Sequence, residues 1–467
     1  MTILTDIDAE PPDGFTPGPQ RSFLGSVNVV MLTYALDGAL AFITSAIIAR
    51  ALGPDGRGAY GLFAVSAAFG QVILGLGIGN AAIYYLNRRE IALRDVLATV
   101  HVVVAASFVV TAAVVALIAP WGGDPIFGED VAPWLLAIAV PVIMYMNLLR
   151  LTLQAMSRFL DLGIATVGQQ VMLLGFVAAA YAWGDPTPSD VVGYLILASA
   201  VAAAYALVRI GIANVDVAQI IRPRLATLRR LATFGVQGEI GNVLQLMNYR
   251  LDQYIVRAFV GLAGVGIYAV AASMTEGVFI LANAVALVLM PRLTLADDDE
   301  AASLAPVAAR NTMLICGLGA IALAAVAPFV LPPLFGSDFE DSVQALWLLL
   351  PGAVALTGSK VLTSYIFSRG RPLVNTMITC VSLVVTLVAC FALIPPFGVN
   401  GAAAASSLAY GTHYIAALVA YRALSGRPIL EAVLPRFADA ELYADAARTM
   451  LARLPGRRPP LAQDPPR

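Results

Sequence analysis

Lysine is almost absent from this 467-residue chain: Lys360 stands alone among 28 basic residues, and the rest are arginine. Histidine is nearly as scarce, with two, and cysteine stops at three (Cys316, Cys380, Cys390), all inside apolar stretches. Charged residues of every kind make up 12% of the chain, about half the ~25% usual in soluble domains. That shortage excludes an ordinary soluble enzyme and a disordered protein, and three dispersed cysteines exclude a disulfide scaffold. No metal-ligand cluster, phosphate-binding glycine loop or nucleophile motif is present. With a net charge of −2, no nucleic-acid partner is expected, and no resident cofactor.

What the chain does have is apolar length: 59% hydrophobic residues and a mean hydropathy of +0.81. A bilayer core needs about 20 apolar residues per helix, and twelve such runs occur, at 24–49, 59–86, 96–119, 133–156, 160–183, 189–211, 231–256, 262–290, 306–330, 343–367, 374–394 and 399–424. Continuous runs are helices, because only a helix satisfies its own backbone in lipid. The expectation is an all-α polytopic membrane protein. A polar tail covers 1–23, a first six-helix lobe 24–211, a basic linker 212–230, a second lobe 231–424, and an Arg/Pro-rich tail 425–467. Within that last tail, 439–454 has the pattern of an amphipathic helix.

The arginines orient these spans. With the N-terminus in the cytoplasm, 22 basic residues fall on the cytoplasmic side and three (Arg50, Arg57, Arg257) on the outer side, the bias expected of a correct topology. Trp121, Trp134, Trp183 and Trp347 then all sit at outer helix ends, where an indole finds both apolar and polar surroundings. A multi-pass protein of the cytoplasmic membrane with both termini inside is therefore expected.

The two lobes repeat one another. Arg50-Ala-Leu-Gly53 with Gly58 and Tyr60 matches Arg257-Ala-Phe-Val-Gly261 with Gly266 and Tyr268. Phe127-Gly-Glu-Asp130 matches Phe335-Gly-Ser-Asp338, Pro141 matches Pro351, and Ser157-Arg158 matches Ser368-Arg369. The matched residues are Gly, Pro, Arg and Asp at helix boundaries, not the Leu and Ala that align by chance. Six helices per repeat is an even number, so the two repeats share one orientation and enclose a central cavity.

Seven ionisable residues lie inside spans, where a charge costs roughly 2.5–3.5 kcal/mol on insertion scales. Arg150 and Lys360 occupy equivalent positions in the two repeats. Each has a polar stripe at i, i+3, i+7 spacing: Asn147, Arg150 and Gln154 in the fourth span; Thr357, Lys360 and Ser364 in the tenth. Two cations with such flanks suit an anionic headgroup; the plain alternative is that both snorkel toward a helix end. In the seventh span Glu239 and Arg250 return to nearly one face, and Asp252 is expected near the outer end, paired with Arg250 or Arg257. Asp37 and Glu276 are mid-span and alone. These four carboxylates (Asp37, Glu239, Asp252, Glu276) are candidates for coupling to H+ or Na+. His101 and His413 fit helix–helix hydrogen bonding better than ligation.

The segment Arg50-Ala-Leu-Gly-Pro-Asp-Gly-Arg-Gly-Ala-Tyr60, followed by Leu76-Gly-Ile-Gly-Asn80, resembles the polysaccharide and lipid-linked oligosaccharide flippases of the multidrug/oligosaccharidyl-lipid/polysaccharide exporter superfamily. Leu334-Phe-Gly-Ser-Asp-Phe339, Leu350-Pro-Gly352 and Ser368-Arg-Gly-Arg-Pro372 extend the resemblance across about 24–424. It implies two six-helix lobes that move a polyprenyl-pyrophosphate-linked glycolipid across the bilayer by alternating access, with Arg150, Lys360 and Arg250 as cavity cations. The implied partners are the glycolipid, the bilayer and polysaccharide-assembly proteins. Relatives that carry peptidoglycan precursors have an Arg-Asp pair where this chain has Thr44-Ser45, which argues against that cargo. A drug or cation antiporter of the same superfamily has less need of paired cations. A membrane-embedded glycan polymerase needs a larger outer loop than any here.

Overall fold

The computed structural model describes residues 23–118, 126–211, 224–434 and 439. Among them are helices α1 (Phe23–Gly75), α2 (Ile78–Asn87), α3 (Leu93–Ile118), α4 (Leu135–Ala155), α5 (Phe159–Trp183), α6 (Pro188–Ile210), α7 (Leu225–Phe259), α8 (Leu262–Leu295), α9 (Asp298–Phe335), α10 (Asp341–Ser368), α11 (Pro372–Ser425) and α12 (Leu430–Val433), and no strand. Among the described residues, nine helices are long and apolar enough to cross a membrane. Two of them, α1 and α11, run 53 and 54 residues, or about 80 Å at 1.5 Å per residue. Each holds two spans, bent at Gly53 (φ 64°) and Gly398 (φ 56°) respectively. Helix α7, 35 residues long, is too polar to count among the nine and completes the twelve. The protein is an all-α polytopic membrane protein built from two six-helix repeats.

Local sequence explains both ends of α6 and the turn before α5. Helix α6 starts on a capping box: the Thr187 hydroxyl accepts from the Asp190 N–H, Asp190 accepts from the Thr187 N–H at 2.9 Å, and Pro188 begins the first turn. It stops at Gly211, whose φ of 96° only glycine adopts easily. The α4–α5 turn places Ser157 at φ 57°, and Asp161 then accepts from Arg158 at 2.9 Å and from Arg209 at the end of α6 at 2.7 Å.

Two boundaries differ from the sequence expectation. The spans expected at 24–49 and 59–86 are the two arms of α1, which meet at the non-helical Gly53. The second is broken at Leu76–Gly77, both at positive φ. The cause is packing. A Cβ on Gly77 would lie 2.3 Å from the Gly235 carbonyl oxygen, and one on Gly235 would lie 2.3 Å from that of Leu76. The chain breaks where two backbones touch. At the other end, the segment beginning at 425 is not all tail. Ala432 of α12 is fully buried beside Tyr414 and Tyr421, and Arg310 of α9 forms a buried ion pair with Asp439 (Nε–Oδ2 2.7 Å). Residues 1–22, most of the linker, Trp121 and nearly all of the expected 439–454 helix lie outside the described residues.

Two compact units divide the chain, and their boundary does not follow the repeats. The first comprises 1–274, 324–349 and 382–409; the second comprises 275–323, 350–381 and 410–467. The first unit has a core of Ile78, Leu97, Met144, Leu149 and Leu231 among others. The second is built around Leu293, Val361, Tyr365 and Tyr421. Large apolar side chains remain outside in number, including Val109, Leu117, Trp183 and Phe329 at 70–88% exposure. In water that would be a liability; for a chain of this class it is the lipid-facing surface.

Within the first unit the repeat appears as reciprocal contacts. Arg50 donates from Nε to the Leu334 carbonyl at 2.9 Å and from Nη2 to that of Pro333. Its repeat mate Arg257 donates to the Ile126 carbonyl at 3.2 Å. Both acceptors immediately precede the repeated Phe-Gly pairs, whose glycines Gly128 and Gly336 both take positive φ (78° and 112°). Between these clasps, Gly58 and Gly266 face each other. A Cβ on Gly58 would lie 2.0 Å from the Leu262 oxygen, and one on Gly266 2.1 Å from that of Pro54. Backbone cannot rotate aside as a side chain does. Gly58→Ala and Gly266→Ala should each cost about 1–3 kcal/mol as overpacking and lower the melting temperature of the purified protein. Gly319→Ala, where a Cβ meets nothing within 4 Å, should not. Wild-type melting of both clasp variants would refute the close approach.

Candidate functional site

The in-span charges gather in three places. The first is on α4 and α1, in the first unit. Helix α4 buries Met144, Leu148, Leu149, Thr152 and Leu153; its opposite face carries Asn147, Arg150 and Gln154, so the expected stripe is a real face. Arg150 is half-buried and within electrostatic reach of Asp37 and Tyr34. Asp37 is alone along its own helix but not in space, because α1 packs against α4 and brings it within electrostatic range of Arg150. Asn147 donates its amide to Gln71 of α1, and Gln154 is exposed.

The second place is on α10, in the second unit. The Lys360 ammonium sits 5.4 Å from the centroid of the Phe279 ring, a cation–π distance. Its expected flanks behave differently from those of Arg150. Thr357 is fully buried and donates to its own helix at Val354 (2.7 Å), and Ser364 donates to the Lys360 carbonyl (2.9 Å). Hydroxyls in apolar helices commonly bond back to the preceding turn. Next to this lysine in sequence, Ser359 hydrogen-bonds Nδ1 of the buried His413 at 2.6 Å. His101 likewise joins two helices through Tyr145 at 2.9 Å.

The third place is an enclosed cluster in the first unit. Asp252 of α7 is completely buried. It accepts from Tyr268 of α8, from Ser406 of α11 at 2.9 Å and from the Gln253 N–H at 2.8 Å. One turn earlier, Asn248 Oδ1 accepts from Ser382 at 3.2 Å and Thr386 at 2.9 Å. The expected Asp252–Arg257 pairing is replaced by these hydroxyls; Arg257 serves the clasp, while Arg250 adds charge nearby. Gln253 Oε1, also buried, has no donor. Such a concentration of acceptor oxygens suits a proton or a small hard cation. Sequence reasoning missed Ser382, Thr386 and Ser406, because a lone hydroxyl in an apolar helix carries no signal. Their only trace is the i, i+4 spacing of Ser382 and Thr386.

Of the remaining candidates, Glu239 is half-buried and accepts from Asn242 at 3.1 Å, and Glu276 is exposed. Among the described residues no group of three or more His, Cys, Asp and Glu side chains could hold a metal ion.

Duplicated six-helix halves with charges inside the spans define a polytopic membrane protein with an internal repeat. Solved structures of this fold include the lipid II flippase MurJ in an inward closed conformation (TM-score 0.67, 12% identity, covering 84% of this chain and 87% of that one). Another is an inward-facing multidrug resistance MATE family transporter of the MOP superfamily (TM-score 0.67, 15% identity, 85% and 98%). The Vibrio cholerae MATE transporter VcmN, solved as a point variant, is similar too (TM-score 0.59, 15% identity, 87% and 97%). At these identities the likeness is one of fold. No curated protein matches the sequence. Residues 47–344 match the family described as polysaccharide biosynthesis protein, and the chain belongs to that family.

The Asp252 cluster makes a specific stability claim. Asp252→Ala leaves the buried Tyr268 and Ser406 hydroxyls without their acceptor, at about 1–3 kcal/mol. It should lower the melting temperature clearly more than Asp252→Asn, which keeps an acceptor oxygen. Equal melting of the two variants would show that the hydrogen bonds contribute little.

Proposed function

We propose that this protein carries a lipid-linked oligosaccharide, on a polyprenyl-pyrophosphate or similar carrier, from the cytoplasmic to the outer leaflet during cell-surface polysaccharide synthesis. One observation carries the reading: Arg150 and Lys360, a guanidinium and the chain's single ammonium, sit at equivalent positions of the two repeats inside membrane-crossing helices. A cation in a span is costly and calls for an anion to meet it; a pyrophosphate is the anionic part of such a carrier and favours convergent cationic donors. Family membership in polysaccharide biosynthesis supports this cargo over a drug, although drug transporters share the fold. In this reading the protein acts by alternating access in the cytoplasmic membrane, with both termini inside, and is a transporter rather than an enzyme. The enclosed oxygens around Asp252 are the best-built candidate for H+ or Na+ coupling; Asp37, beside Arg150, would report cargo charge instead.

Arg150→Ala and Lys360→Ala should each reduce polysaccharide export about tenfold or more at normal membrane levels, as expected for loss of a charge-assisted contact. Lys360→Arg should retain part of it. The same cells should accumulate one lipid-linked glycan, seen by mass spectrometry of extracted lipids. Full export by the double alanine variant would overturn the assignment of these cations. New drug sensitivity without glycolipid accumulation would favour an antiporter.

A further inference from the structure

Helix α7 opens the second repeat, yet its packing ties it to the first. Along its length it meets α3, α2 and then α1, in antiparallel order. At its start Arg224 pairs with Asp95 of α3 at 3.4 Å, and Arg230 pairs with Glu90 and lies 4.5 Å from the centroid of the Tyr85 ring. Phe234 stacks on Tyr84 of α2 with centroids 4.6 Å apart, and meets Tyr85 at 5.4 Å. Gly235 then lies backbone to backbone against Gly77. In the last two turns the Tyr254 hydroxyl bonds that of Ser66 in α1, and its ring is 6.2 Å from that of Phe69. Arg257 finally holds the Ile126 carbonyl at 3.2 Å. Gly235 and Tyr254 are about 28 Å apart along the helix at 1.5 Å per residue, close to the thickness of a bilayer core.

Packing, not surface charge, carries the contact near the start of α7. Leu231 is fully buried and shares one core with Ile78 and Ala82 of α2, Leu97 of α3 and Leu149 of α4; Leu228 packs on the same core. Surface ion pairs such as Arg224–Asp95 add little, whereas Leu231 could withdraw only by opening the core of the first repeat. The first compact unit accordingly takes in all of α7 and ends inside α8, at 274. At the offset that matches Phe127 with Phe335, the equivalents of Gly77 and Gly235 are Val285 and Val27. The duplication therefore does not repeat the glycines that let these two backbones touch.

We propose that α7 moves with the first repeat during transport, so that its seam with α1 and α2 stays closed at both membrane faces. Rocking of two bodies is the usual way a duplicated transporter exposes its site to each side. Here the bodies that move are not the two six-helix repeats, because the division falls beyond α7. A carrier lipid does not pass between α2 and α7. The inference rests on the transporter reading but not on the cargo.

The test uses the full-length protein carrying Cys316→Ala, Cys380→Ala and Cys390→Ala. Tyr84→Cys/Phe234→Cys and Ser66→Cys/Tyr254→Cys then place cysteines across the seam near its two ends. Oxidation in membranes should join both pairs, and polysaccharide export by each joined protein should equal that of its reduced form. Failure of either pair to join, or a loss of export that reductant restores, would overturn the proposal. A second arm needs no cargo and decides the matter even where the glycolipid reading fails. Spin labels on Asn87→Cys/Val236→Cys and on Asp55→Cys/Val260→Cys, all exposed positions, are measured in lipid nanodiscs. Each pair should report one distance, the same at acid and neutral pH and with or without sodium. A second distance at either end would mark a gate instead of a fixed seam.

Discussion

Every helix leaves its last carbonyls without an intrahelical partner, and in a bundle of membrane-crossing helices many such ends gather at the two membrane surfaces, where a basic side chain can meet them. Arginine answers this need throughout the chain. Arg50 caps the end of α9 at Pro333 and Leu334; Arg158 reaches the Arg209 carbonyl at the end of α6; Arg369 reaches Leu293 near the end of α8. Arg310 holds Glu431 of α12 at 2.9 Å, and Arg257 holds the connection at Ile126. A guanidinium offers five donors in a fixed fork and keeps its charge in apolar surroundings. An ammonium on a flexible stem does this poorly. Where a basic side chain ties helix ends or connections together among the described residues, it is an arginine.

That constraint explains why the repeat is visible in sequence at all. The matched pairs are the capping arginines and the glycines beside them. Arg50 and Arg257 act across the repeats on one another's connections, while Gly58 and Gly266 let the two helix starts meet backbone to backbone. The apolar residues between are free to vary, since lipid and close packing accept many side chains. The span count and the duplication were therefore legible before any coordinates. Hydropathy alone undercounts: α7 is too polar, and α1 and α11 each run through two spans.

What sequence reading could not reach was contact at a distance. A run of apolar residues looks the same whether a helix is straight or broken, so the break at Leu76–Gly77 needed Gly235 on the opposing backbone to explain it. Asp37 looked solitary because periodicity describes one helix at a time; the packing of α1 on α4 gives it Arg150. Asp252 was expected beside Arg250 or Arg257; Arg250 does lend it charge, while its hydrogen bonds come from hydroxyls of two other helices and the Gln253 N–H. On α4 the polar stripe lies opposite the buried side chains, but a face does not say where its groups bond. Asn147 turns to Gln71, while Thr357 turns back on its own helix.

Against a background of capping arginines, two cations stand apart. Arg150 lies within the last two turns of α4, which ends at Ala155, and Lys360 lies further from the end of α10 at Ser368, as the single lysine among arginines. Lys360 lies 5.4 Å from the centroid of the Phe279 ring, and Arg150 lies within electrostatic range of Asp37. A cap must not let go, whereas a transport site has to bind and release. The division between arginines at helix ends and cations within spans is what the proposed export of an anionic glycolipid would demand of a chain with so few charges.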